Sequence, residues 1–221
     1  MLDYDVEPEI LRPLVPAGVA LDLLDGRALV TVVGFRFLRT RVLGVPIPLH
    51  RDFDEVNLRF YVRRDLPGGE VRHGVTFVRE LVPRLAIALV ARAVFNEPYR
   101  AVPMRHHVSA ERRSYEWRAG GRWQHVAAST VGDSAVPAPE SEGAFVTQRQ
   151  WGYTRQRDGR TIEYEVRHPV WRVWAAESPS LAADVAGLWG AAFVPALSGP
   201  PLGALVAEGS AVTVSAPVRI A

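Results

Sequence analysis

Four glycine-containing turns punctuate the chain, and they restrict its fold more than any other feature. Asp25-Gly26 separates VALDLL from ALVTVVGFRF, and DLPGG at 65–69 separates VNLRFYV from HGVTFVREL. Gly120-Gly121 lies between SYEWR and RWQHVAAS, and Asp158-Gly159 between WGYTRQ and TIEYEVRH. Such pairs between strand-like runs favour tight hairpins, because both turn residues tolerate positive φ. Four hairpin signals predict an antiparallel sheet. They argue against a doubly wound fold, whose strands would alternate with helices.

Helical signals are fewer. EPEILRPLVP predicts a short N-terminal helix. Pro83 suits a first helical position, where its missing N–H would be unpaired in any case. A helix from there runs to about Asn96, with Pro98 forcing the exit. It is apolar nearly all round (Leu85, Ile87, Leu89, Val90, Val94, Phe95), which predicts burial. A third helix is expected from Ser180, as N-cap, to about Leu188. The stretch GDSAVPAPESEG, 132–143, has little to bury and reads as a mobile loop inside one domain spanning 1–221. A chain of 221 residues should bury about 70% of its unfolded surface, enough for one substantial core.

Composition excludes several chemistries. There are no cysteines, hence no disulfides, thiolate metal sites or cysteine nucleophiles. The 26 basic side chains are all arginine; the chain contains no lysine. The pI of about 9.3 accompanies a formal charge of only +2. Charges of both signs are interspersed, so no basic face for nucleic acid is expected. The opening MLDYDVEPEI lacks a basic segment followed by an apolar run, and no window approaches 18 apolar residues. A cytoplasmic protein without a membrane partner is expected.

The segment DEVNLRFYV, 54–62, alternates cleanly. Val56, Leu58, Phe60 and Val62 form one face of a strand; Glu55, Asn57, Arg59 and Tyr61 form the other. The polar row either faces solvent or lines the interior of a barrel. Inward, it would present a carboxylate, an amide, a guanidinium and a phenol to a polar ligand. Arg79 and Glu80 are adjacent, point to opposite faces, and each needs a partner if buried; an ion pair with a neighbouring strand is expected. None of the six histidines stands in metal-ligand spacing, and no metal or cofactor is expected. His50, just ahead of the Glu55 strand, is a candidate acid or base. There is no G-x-S-x-G, P-loop or G-x-G-x-x-G, and Ser210 in AEGSAV has the wrong context for a nucleophile.

Four stretches carry a family resemblance: VGFRFLRTRVLGVPIPLHRDFDEVNLRFYVRR, RELVPRLAIALVARAVFNEPY, WGYTRQRDGRTIEYEVRHPVWRVW and AEGSAVTV. Through them the chain resembles the YqjF-like family of uncharacterised bacterial proteins. That resemblance implies an α+β, mainly antiparallel fold, the acetoacetate decarboxylase-like β-barrel with a few packed helices and an internal pocket. True acetoacetate decarboxylases are more distantly similar. Phe53-Asp54-Glu55 looks like their aromatic-x-Glu element, so Glu55 inherits a pocket carboxylate. Their other glutamate falls near Val33 and is absent. Their paired lysines fall on Tyr99 and Arg100.

That last departure bears on chemistry. A Schiff base needs a primary amine whose pKa is lowered by desolvation or a nearby cation. Arginine is protonated at all ordinary pH and cannot serve. Two readings remain open. In one, the pocket binds a small anionic or carbonyl-containing molecule, held by Arg59 or Arg100, with Asn57, Tyr99 and His50 also lining it. In the other, Glu55 is the acid/base of a non-covalent isomerase, hydratase or lyase acting on a keto acid. Exposed helices on a barrel also lead us to expect a homo-oligomer.

Overall fold

The computed structural model describes residues 1–39, 41–42, 45–46 and 52–220, with residues 41–42, 45–46 and 90–94 described by their backbone. Strands dominate. In chain order they are β1 Leu2–Val6, β2 Ala20–Leu21, β3 Ala28–Phe37, β4 Arg41–Val42, β5 Val45–Pro46, β6 Phe53–Asp65, β7 Val71–Val82, β8 Tyr99–Ala101 and β9 Met104–Val108. They continue with β10 Arg112–Ala119, β11 Arg122–Ala135, β12 Trp151–Arg155, β13 Thr161–Arg167, β14 Val173–Ala182, β15 Gly203–Ala207, β16 Thr213–Val214 and β17 Val218–Arg219. The helices are α1 Pro8–Leu11, α2 Leu85–Val94, α3 Glu142–Thr147, α4 Val185–Leu188 and α5 Val194–Leu197.

One hydrogen-bonded ladder runs β16-β13-β12-β7-β6-β3-β1-β15-β14-β11-β10-β9. Most pairings are antiparallel; β7 pairs in parallel with β8 and with β12. β1 and β15 meet at the centre, with Leu2 opposite Ala204 and Asp3 opposite Gly203. They join a wing made of β3, β6, β7, β12 and β13 to a wing made of β14, β11, β10 and β9. The sheet curls so that the wings touch. Gly34 of β3 lies so close to β10 that a methyl group there would come within 2.6 Å of the Tyr115 ring. Among the described residues the ladder ends at β16 and at β9, so the closed barrel expected from the resemblance is not reached in their hydrogen bonding.

Three of the predicted turns close hairpins. Asp65 pairs with Val71, Ala119 with Arg122 and Arg155 with Thr161. Asp25-Gly26 makes its tight turn too, closed by Leu24 and Arg27, but β2 before it pairs with β6.

The long strands are buried on both faces. Leu2, Val30, Val32, Val56, Leu58, Phe60 and Leu81 form the main core with Trp117 of the other wing and Trp189 at the end of α4. On the opposite face, Leu29, Tyr61 and Val75 pack under Val146 of α3 and Leu205 of β15. Burying an apolar side chain contributes about 1.5–3 kcal/mol, so these two layers supply most of the fold's driving force.

Two local expectations are corrected. α2 is not buried all round: Ala88 is covered, whereas Leu85 and Leu89 are more than half exposed, because the helix rests on β7 and β8 along one side. Ser180 does not cap a helix. β14 runs on to Ala182, the Ser180 hydroxyl meets His125 Nε2 at 2.6 Å, and Asp184 caps α4 by accepting from Gly187 N–H. The 132–143 stretch carries the end of β11, and Ser141 caps α3 by accepting from Ala144 N–H. Among the described residues no helix is long and apolar enough to cross a membrane.

Candidate active site

The polar row of β6 does not face solvent. Glu55 and Asn57 are 1% and 2% exposed. Strand register explains which groups they meet. Asn57 pairs with Glu80 on β7, and Glu80 pairs with Tyr99 on β8. Side chains opposite one another share a face, so Glu55, Asn57, Glu80 and Tyr99 converge. They lie on the face of β6 that also carries Tyr61.

Glu97 joins them from the turn between α2 and β8. Asn96 takes a positive φ of 56°, turning the chain out of the helix, and its Nδ2 donates to Arg155 O at 2.9 Å. That turn brings Glu97 inward, 4% exposed. Its Oε1 accepts from Thr154 Oγ1 at 2.5 Å and from Tyr164 OH at 2.7 Å. Tyr164 fits because its register partner is Gly152, where a Cβ would sit 2.2 Å from the ring.

Glu55 is held from two sides. Asn57 Nδ2 donates to Oε1 at 3.0 Å and Tyr99 OH donates to Oε2 at 2.9 Å. Among the described residues no arginine or histidine forms an ion pair with Glu55, Glu80 or Glu97. Burial pushes the Glu55 carboxyl up to about 7, against the two hydrogen bonds, with the Glu97 charge adding to the rise. Burial, then the Glu97 and Glu55 charges, hold Glu80 well above the carboxylate range. Burial also raises Glu97, opposed by Thr154 and Tyr164. Tyr99 and Tyr164 are pushed well up by burial and the glutamate charges, so both remain hydroxyl donors. A carboxyl that titrates near neutrality can take and return a proton at physiological pH.

The arginines of the sequence prediction are turned elsewhere. Arg59 donates from Nη2 to Val146 O at 2.7 Å and acts on Glu55 only at longer range. Arg100 follows Tyr99 on β8 and pairs with Leu81, so it lies on the opposite face. His50 lies outside the described residues. Glu80 has no ion-paired partner among the described residues; it faces two other carboxyls instead of the cation expected for it. Glu97, Thr154 and Tyr164 were missed by sequence reasoning, since nothing in NEPY or in the β12 and β13 patterns links them.

Two clefts lie away from this cluster. One, of about 750 Å³, is lined by Trp123, Ser180, Leu197 and Pro200; the other, of about 460 Å³, by Asp133, Glu142, Trp174 and Gly203. Neither is the internal pocket expected beside Glu55. Among the described residues no three His, Asp or Glu side chains are grouped to hold a metal ion.

Comparisons with known proteins agree with this architecture. A family model described as an uncharacterized conserved protein matches residues 1–211. The uncharacterized protein YqjF of Bacillus subtilis is 29% identical over 181 residues, covering 79% of this chain and 72% of YqjF. Among solved structures, acetoacetate decarboxylase from Legionella pneumophila superposes with a TM-score of 0.58 at 13% identity, covering 86% of this chain and 74% of the enzyme. The enduracididine biosynthesis enzyme MppR complexed with pyruvate gives 0.60 at 14% identity, covering 96% and 80%. An acetoacetate decarboxylase-like enzyme from Sphingomonas wittichii gives 0.59 at 13%, covering 100% and 89%. At such identities these structures speak to the fold.

Proposed function

Starting from a chain that belongs to the DUF2071 family of uncharacterised conserved proteins, we propose that it is an enzyme of acid/base type acting on a small carbonyl compound, with Glu55 as the group that moves the proton. The observation that carries this reading is a fully buried Glu55, held by two neutral donors and by no ion-paired cation among the described residues. A carboxylate clamped by arginine would stay ionised and serve binding or structure instead.

The simplest step is enolisation. The Glu55 carboxylate takes a proton from the carbon beside the carbonyl, and the C–H electron pair becomes the C=C bond of an enol. The carbonyl oxygen takes the proton of Glu80, which burial keeps protonated. Reversal returns both protons. Lysine is absent, so no lysine Schiff base enters. The alternative of a purely binding pocket for an anion loses its clamp, with Arg59 and Arg100 directed elsewhere. The structural neighbours are described as enzymes, and one is described with pyruvate bound, which supports small carbonyl compounds as the class to try. The same reading keeps residues 1–221 as one domain, the curled sheet as a barrel around a ligand, and a cytoplasmic homo-oligomer. The exposed Leu85 and Leu89 of α2 are consistent with contact between copies, and light scattering on the purified protein checks the assembly.

The test is deuterium uptake from D2O into hydroxyacetone and pyruvate, followed by proton NMR. Catalysed exchange that falls at least 100-fold in Glu55→Gln supports the reading. Exchange no faster than buffer, or unchanged in the variant, overturns it.

A further inference from the structure

The hydrogen-bond inventory of the cluster is one-sided. Its donors are the Asn57 amide N–H, the Tyr99 hydroxyl, the Thr154 hydroxyl and the Tyr164 hydroxyl. These are engaged with Glu55 and Glu97. Among the described residues three acceptor oxygens have no hydrogen-bond partner, Asn57 Oδ1, Glu80 Oε2 and Glu97 Oε2, and the one proton shared between Glu80 and Glu97 does not serve them all. Their residues are 2%, 2% and 4% exposed. Asn57 matters most among them, because it is neutral and cannot resolve the deficit by changing its own protonation. Its Nδ2 bond to Glu55 fixes the amide within the cluster, and strand pairing sets it opposite Glu80. Buried polar atoms left without partners are rare in native proteins and call for an explanation.

From this imbalance we infer that the molecule taken up by the Glu55–Glu80–Glu97 site bears a cationic nitrogen, an ammonium or amidinium group, beside its reacting carbonyl. The inference rests on the functional reading above and narrows its substrate class. An ammonium brings three N–H donors and no acceptor, matching Asn57 Oδ1 and the carboxyl oxygens that the shared proton leaves free. Glu80 keeps its proton, so the ligand's charge answers the carboxyls of Glu55 and Glu97, for which the described residues provide no ion-paired cation. An anionic ligand meets like charge and more acceptors. A neutral alcohol brings one donor and leaves the charge unanswered. Water could occupy the free acceptors but brings no charge, so it would give no preference among ligands of different charge.

Three carbonyl compounds of similar size separate these cases: aminoacetone, hydroxyacetone and pyruvate. The expected result is that kcat/KM for deuterium exchange with aminoacetone exceeds that with either of the others by at least tenfold. The preference should collapse in Asn57→Leu. A second readout does not depend on turnover. Propylamine should raise the melting temperature in the millimolar range, where propanol and propionate do not, and the shift should be lost in Asn57→Leu. Exchange with no preference for aminoacetone overturns the inference and leaves Glu55 as acid/base. A propylamine shift without exchange on any compound overturns the catalytic reading and upholds the cationic ligand. No shift with propylamine at 20 mM, or an equal shift with propanol, overturns the inference.

Discussion

The Tyr99 hydroxyl donates to Glu55 Oε2 at 2.9 Å, joining a strand at the edge of the ladder to one at its middle. This bond stabilises the ionised carboxyl and is one of the two hydrogen bonds that offset burial. In Tyr99→Phe the Glu55 carboxyl should titrate higher. The acid limb of the exchange-rate profile should therefore move up by roughly one pH unit. A profile in the same place would remove Tyr99 from the proton-transfer group.

Glu55 also makes stability depend on pH. It keeps its proton up to about pH 7 in the folded chain and releases it near 4.5 when unfolded. Between those values the folded state binds more protons, so stability falls as pH rises. A shift of that size corresponds to about 3 kcal/mol. Glu80, Glu97 and Asp3, which are also raised by burial, act in the same direction. Urea unfolding at pH 5 and pH 8 should show a smaller difference for Glu55→Gln than for the wild type. An equal or larger difference would contradict a carboxyl raised by burial.

Gly152 makes room for the ring whose hydroxyl anchors Glu97. A methyl group there must displace Tyr164. Gly152→Ala should therefore destabilise by about 3 kcal/mol and reduce exchange activity. Adding Tyr164→Val should recover part of the stability, since it removes the clash, but not the activity, since Glu97 stays untethered. Thermal melts and NMR exchange on both variants check this.

Arg149 secures α3 over the polar face. It pairs with Asp22 at 2.5 Å, donates from Nε to Phe145 O, and lies 3.8 Å over the Phe145 ring. Removing one partner of a buried pair leaves the other unpaired, so Arg149→Ala should cost about 3 kcal/mol. His73, whose Nδ1 is 2.7 Å from Asp22, remains as a second partner and softens the loss. Hydrogen exchange should quicken across 142–147 ahead of β6 and β7. Uniform quickening would mean that α3 is not a separate unit of opening.

The sequence carried its local geometry well and its partnerships poorly. Gly120-Gly121, with positive φ at both positions, and Asp158-Gly159, with positive φ at Gly159, announced their hairpins because such backbone is a local demand. The alternation in 54–62 identified two faces correctly, but not that both are covered. That depends on α3 and β15, far away in the chain. Glu80 was recognised as needing a partner. Its partners come from a parallel pairing with β8, for which there is no short-range signal. Glu97 sits outside any periodic element, placed by the left-handed Asn96 and by hydroxyls from β12 and β13. Ser180 resembled a cap because strand and cap residues share a hydroxyl; only the continuation of β14 separates the two.

The seam between the wings has a consequence for biosynthesis. β1 bridges β3 and β15, and β15 in turn carries β14 and the rest of its wing. A nascent chain can form the β6–β7 and β10–β11 hairpins as they leave the ribosome. It cannot unite them until residues 203–207 have also emerged. Completion of the sheet therefore waits for nearly the whole chain, and during that interval the unpaired flanks of β1 and β14 stand open to other molecules. A ribosome stalled before residue 203 would display an adhesive half-sheet, a natural client for a chaperone.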